Sequence, residues 1–133
     1  MADMLDPPLR EPAKRHQLSQ VNQKTMAKRL NTVIEPSVDI SNDVSAINAG
    51  RATRQGNNFI INGRAYGTHD GILFPISGVG FHQLDRGAFK ALGVYNQFGD
   101  TSRATEILDN MAISSEQRQA ALRAWRAGIG GTS

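Results

Sequence analysis

The chain has 133 residues, no cysteine, and a formal net charge of +3 at a pI near 9.7. That length suits one domain with a single core. The lack of cysteine excludes disulfides, thiolate metal sites and cysteine nucleophiles, while the modest positive charge favours anionic partners without establishing one.

The first 57 residues read as an arm attached to a domain. They hold none of the eight aromatic side chains, carry Pro7, Pro8, Pro12 and Pro36 of the five prolines, and are rich in Asn, Gln and Ser. Such a composition buries too little apolar surface to offset the entropy of ordering. Arg10, Lys14, Arg15, Lys24, Lys28 and Arg29 face only Glu11 between positions 10 and 29, so the basic excess is N-terminal. The start, Met1 to Pro8, lacks the basic and apolar regions of a secretory signal. No apolar run approaches the ~20 residues that span a bilayer. The chain reads as soluble, without a membrane partner and cytoplasmic by default.

Leu18, Val21, Met26, Leu30, Val33 and Ile34 recur at helical offsets, which predicts a helix over 17–34 stopped by Pro36. Residues 35–57, mixed in Pro, Ser, Asn, Asp and Gly, read as loop or linker. Asn62-Gly63 between Phe59-Ile60-Ile61 and Arg64-Ala65-Tyr66 is the dipeptide of a type I′ hairpin, and Asp70-Gly71 repeats the device before Ile72-Leu73-Phe74. The two turns predict a three-stranded antiparallel meander over roughly 58–76, with Pro75 on an outer strand.

Phe81, Leu84, Ala88, Ala91, Leu92 and Tyr95 fall on one arc of a helix, with Gly99 placed to cap it. A second helix should start near Asp100 or Thr101, and a third after Ser114, which forms a capping box with Gln117. The expected fold is α+β: a meander followed by three helices over 58–127, a basic arm over 1–57 and a frayed tail over 128–133.

Three features carry possible chemistry. Ser77-Gly78-Val79-Gly80, directly before the expected long helix, has the glycines of an anion cradle at a helix start. Ser77, Gly78 and Gly80 are its candidate phosphate contacts, although the same glycines serve a plain tight turn. His82, Arg86 and Lys90, spaced four apart, would form one polar stripe from that turn, with Phe89 at its edge to stack a base. His69 sits at the second hairpin turn, beside Gly67 and opposite in face to Tyr66 and Thr68.

If the hairpin tip meets the helix start, His69 and His82 converge on one phosphate. Histidine's pKa near 6.5 suits either proton transfer of RNA cleavage, with Arg86 and Lys90 on the phosphate, Tyr66 as a supporting donor, and Asp70 or Asp85 orienting an imidazole. A metal site from His69, Asp70, His82 and Asp85 is the minor variant, since no metal-binding spacing supports it.

Tyr66-Gly67-Thr68-His69-Asp70-Gly71 and Gly80-Phe81-His82-Gln83-Leu84-Asp85-Arg86-Gly87, behind a short basic lead-in, loosely resemble small bacterial RNase toxins, including the C-terminal domains of polymorphic toxins. The likeness lies in size, basicity and residue types over 58–127. It implies RNA as substrate, no cofactor, and a cognate neutralising protein. Two other functions stay open at this point. One is a non-catalytic nucleic-acid-binding or regulatory module, with the last two helices arranged as a helix-turn-helix. The other is an interaction protein whose N-terminal helix docks on a partner.

Overall fold

A computed structural model describes residues 4–132. The order is β1 (Leu30–Ile34), α1 (Ile40–Asn48), β2 (Thr53–Gln55), β3 (Asn58–Ile61), β4 (Arg64–His69), β5 (Ile72–Gly78), β6 (Phe81–Asp85), α2 (Arg86–Phe98), α3 (Ser102–Asn110) and α4 (Ser115–Thr132), after two short 3-10 turns at Lys14–His16 and Leu18–Gln20. The fold is α+β. β2, β3, β4 and β5 form an antiparallel sheet in chain order, while β1 pairs antiparallel with β6 as a separate ribbon. The meander therefore exists but has four strands, because Thr53–Gln55 adds an edge to β3.

Both hairpin turns form as their dipeptides dictate. Asn62 and Gly63 have φ of 53° and 77°, and Asp70 and Gly71 have 52° and 76°, the left-handed pairs of type I′ turns. Pro75 stands on β5, the edge strand of its sheet, where a missing donor is tolerated.

Two cores flank the β1–β6 ribbon. Ile34 and Phe81, paired across it, join Val44, Ile47, Phe59, Tyr66 and Leu73 under the sheet and α1. Val33 and Leu84 join Phe89, Leu92, Val94, Tyr95, Leu108 and Ala121 among the helices. The ribbon is thus the shared wall of the two layers.

Residues 81–85 correct the expected long helix. Phe81, Leu84 and Ala88 fit a helical arc, but pairing of Phe81–Asp85 with Leu30–Ile34 makes the first five residues a strand. Helix α2 starts only at Arg86, capped by the Asp85 carboxylate, which accepts from the Ala88 amide at 2.8 Å. Gly99, at φ 71°, ends it as expected. Thr101 caps α3, and Ser114 and Gln117 close a reciprocal capping box before α4.

The N-terminal arm is also corrected. No helix occupies 17–34: a single turn at Leu18–Gln20 is followed by extended chain and β1. The segment straps onto the fold. Leu18 and Val21 are buried in the helical core, and the Asn96 amide donates to both of their carbonyls at 2.8 Å. A side chain at Gly93 would meet the Asn22 backbone at 2.7 Å, and one at Gly128 would meet Leu18 at 2.6 Å, so both glycines admit the strap. Farther out, Arg10 bridges to β5 through Arg10 N to Gly71 O and Leu73 N to Arg10 O, each 2.9 Å. The expected loop at 35–57 contains α1, capped by Asp39. The expected tail is helical to Thr132, and Gly128 in it is buried.

Candidate functional site

The β1–β6 ribbon face that buries Ile34 and Phe81 opens, toward its other end, into a cleft of about 700 Å³. Leu30, Thr32 and Gln83 line it from the ribbon; His69, Ile72, Phe74 and Ile76 line it from the β4–β5 hairpin; Arg15, His16 and Lys28 close it from the strap. The ribbon is fastened across β5 by the Ile76 carbonyl, which accepts from Thr32 Oγ1 at 3.2 Å and from Gln83 Nε2 at 2.7 Å. Among the described residues no acidic side chain lines the cleft itself.

His16 is half-buried, and its Nδ1 lies 2.9 Å from the Thr32 carbonyl oxygen. A carbonyl only accepts, so Nδ1 carries the proton and Nε2 keeps its lone pair, 3.4 Å from Arg15 Nη1. Burial pushes the imidazole pKa below its ordinary 6.5; the Thr32 bond opposes that, and the Arg15 and Lys28 charges reinforce it. His16 is therefore a neutral imidazole at pH 7, whose unprotonated Nε2 accepts a long hydrogen bond from Arg15 beside Lys28.

Asn31 holds the Arg15 guanidinium and the Lys28 backbone. It is buried, and its Oδ1 accepts from the Arg15 guanidinium and from the Lys28 amide, each at 2.8 Å, while its Nδ2 donates to the Lys28 and Leu84 carbonyls. Arg15 also lies over the Phe89 ring at 5.7 Å. Its Nε is buried with no hydrogen-bond partner.

His69 is open to solvent, with Nε2 3.3 Å from the carboxylate of its neighbour Asp70. Register pairs it with Ile72 and pairs Gly67 with Phe74, so these four share the sheet face that floors the cleft.

The expected meeting of His69 with His82 does not occur. His69 pairs with Ile72 and Gln83 bonds to Ile76, so roughly 13 Å of β5 separates those rungs. Gln83 faces the cleft, so His82, its neighbour on β6, points to the opposite face. There His82 Nε2 lies 2.7 Å from Glu35.

Tyr66 is fully buried, and its hydroxyl donates to Asp43 at 2.5 Å. Burial alone would raise the Asp43 pKa, but hydrogen bonds from Arg64, Tyr66 and Asn62 outweigh it and hold the carboxyl below its usual range. The same burial and the Asp43 carboxylate push the Tyr66 phenol up. Tyr66 is a clamp between β4 and α1 rather than a proton donor to a ligand.

Ser77, Gly78 and Gly80 lead into a strand, which removes the helix-start cradle. Gly78, at φ 128°, instead lets the turn lie against the Gly63 carbonyl, 2.3 Å from where a Cβ would stand. Phe89 is 1% exposed and cannot stack a base. Arg86 and Lys90 lie one turn apart at the start of α2, along a separate shallow groove with Met111 and Gln117. Asp85 caps α2, and among the described residues no cluster of three or more His, Asp or Glu side chains is placed to hold a metal ion. No protein-family model, curated protein or solved structure matches the chain. No helix among the described residues is long and apolar enough to cross a membrane.

His16 and Phe74 are the cleft residues that sequence reasoning passed over, while Arg15 and Lys28 stood there only as part of the N-terminal basic excess. Lys14-Arg15-His16, an imidazole inside a basic run, was the local signal that pointed to His16.

Proposed function

We propose that the chain is a metal-independent ribonuclease domain of the toxin kind, acting in this cleft with His16 and His69 as its proton-transfer pair. One observation carries the reading. A neutral, oriented imidazole from the strap and a solvent-facing imidazole from the β4–β5 hairpin, the latter paired with Asp70, line one cleft with two cations.

In this mechanism His16 Nε2 takes the proton of a ribose 2′-hydroxyl. The 2′-oxygen bonds to phosphorus, the bond from phosphorus to the 5′-oxygen breaks, and protonated His69 delivers a proton to that leaving oxygen. The products are a 2′,3′-cyclic phosphate and a free 5′-hydroxyl. Arg15 and Lys28 offset the charge that grows on the phosphorane oxygens. The chemistry needs no cofactor, and a neutralising protein would act by covering the cleft mouth.

The test is cleavage of a single-stranded RNA by the full chain. His16→Ala and His69→Ala should each slow it about 10² to 10⁴-fold with the fold intact, whereas His82→Ala should leave it nearly unchanged. Full activity in both cleft variants defeats the proposal. RNA binding without turnover in the parent chain selects the non-catalytic nucleic-acid module instead.

The interaction-protein reading loses its basis, because the expected docking helix is a strap built into the core. The helix-turn-helix reading is weakened, because Arg118 is spent on Asp109 at 2.8 Å and on the Ile113 carbonyl at 2.9 Å.

A further inference from the structure

Phe74 is the one aromatic ring among the large apolar side chains left exposed in the described residues, at 37%. Its alternation on β5 sends Leu73 into the sheet core and Phe74 to the cleft side with Ile72 and Ile76. Across the ladder stands Gly67. A Cβ at Gly67 would lie 2.3, 2.7 and 2.9 Å from three carbons of the Phe74 ring, so the ring rests directly on the glycine backbone. Any side chain at position 67 would lift it off.

An exposed phenylalanine costs solubility and usually finds a core. Here the backbone has instead been cleared so that the ring can lie down at the floor of a cleft. One side of the ring is taken by Gly67, and its exposed remainder adjoins the cleft that holds Arg15, His16, Lys28 and His69. Aromatic rings beside cationic tracks bind single-stranded nucleic acid by stacking bases while the cations hold phosphates. Among the described residues the lining holds no acidic side chain, with Asp70 nearby on His69, which fits the same anionic polymer.

We propose that Phe74, laid across Gly67, is the platform on which this cleft stacks a nucleobase of single-stranded RNA. The inference deepens the ribonuclease reading and rests on it. It replaces Phe89, which is buried, with a ring that a base can reach. Stacking there would hold one nucleotide flat against the hairpin while its phosphate lies between the strap cations and His69. Substrate recognition then depends on a base being present, and tolerates which base it is.

The test uses the full chain and two non-cleavable probes: a 2′-O-methyl tetra-adenylate and the abasic tetramer of the same backbone, each followed by fluorescence anisotropy. The parent chain should bind the adenylate about tenfold or more tightly than the abasic probe. Phe74→Leu should abolish that difference by weakening the adenylate alone, and Phe74→Trp should keep it. Gly67→Val, which displaces the ring and leaves Phe74 in place, should behave as Phe74→Leu. Equal adenylate affinity in the parent chain and Phe74→Leu overturns the platform, as does an equal loss for both probes.

Cleavage separates this failure from that of the ribonuclease reading. If the parent chain cleaves RNA through His16 and His69 while Phe74→Leu binds and cleaves as the parent does, only the platform falls. If the parent chain neither binds nor cleaves RNA, both fall.

Discussion

The Asn31 side chain accepts from the Arg15 guanidinium at 2.8 Å and donates to the Lys28 carbonyl at 2.9 Å, so one buried amide holds the Arg15 charge and the Lys28 backbone at the cleft. Asn31→Ala would leave the Lys28 amide and the Leu84 carbonyl without these partners. We expect a loss of about 2 to 4 kcal/mol in urea unfolding. Below the shifted midpoint, the folded variant should cleave RNA more slowly because Arg15 is no longer held.

Asn96→Ala tests the strap. The amide it removes satisfies the Leu18 and Val21 carbonyls together. The expected cost is about 1 to 3 kcal/mol. Hydrogen exchange should rise over residues 14–21 while β4 and β5 stay protected. Uniform loss of protection would show that strap and sheet open as one unit.

Tyr66→Phe separates a clamp from a catalyst. Asp43 keeps Arg64 and Asn62 but loses the phenol, and a hydrogen bond to a charged group contributes about 1.5 to 3 kcal/mol. Stability should fall by that order, while RNA cleavage by the folded protein stays within about twofold of the parent, within the spread of an RT-sized effect. A loss of cleavage comparable to that of His16→Ala would restore Tyr66 as a catalytic group.

Acid stability should report Asp43. Its native pKa lies below the ordinary 3.8, so its contribution is present above that pH. It is lost as pH falls through the native value, where the unfolded chain binds the extra proton. Tyr66→Phe weakens the group's hydrogen bonding and should flatten this acid-side slope. Urea midpoints between pH 5 and pH 2.5 provide the measurement.

His16 should titrate below 6.5, because burial and then the Arg15 and Lys28 charges outweigh the Thr32 bond. Its stabilising contribution is complete above that pH and declines as pH drops toward the native value. The acid limb of RNA cleavage should therefore lie below 6.5 and move upward in Lys28→Gln. Imidazole proton shifts followed by NMR check this directly, and a His16 midpoint at or above 6.5 contradicts it.

Local chemistry was legible in the sequence where local chemistry decides. Asn62-Gly63 and Asp70-Gly71 force left-handed turns on their own, and Thr101, Ser114 and Gln117 cap with neighbours three residues away. Phe81 and Leu84 were misread because their spacing suits a helix and a strand alike. The choice is made by Leu30–Ile34, some fifty positions earlier, through a ladder that periodicity cannot reveal.

The strap was illegible for a related reason. Leu18 and Val21 are too few to bury themselves, and their partners Gly93, Asn96 and Gly128 lie in the last third of the chain. Half of the candidate site followed from this. His69 announced itself beside Gly67 at a hairpin turn. The role of His16 depends on the strap bringing it to the Thr32 carbonyl, a contact that only the folded chain creates.

Leu18 seats in the space that Gly128 leaves open on α4, so the strap that carries His16 is held at that point by the last helix of the fold as well as by Asn96 on α2. A bulkier residue at Gly128 would therefore press on Leu18 and be felt along the strap, far in sequence from the cleft residues it carries.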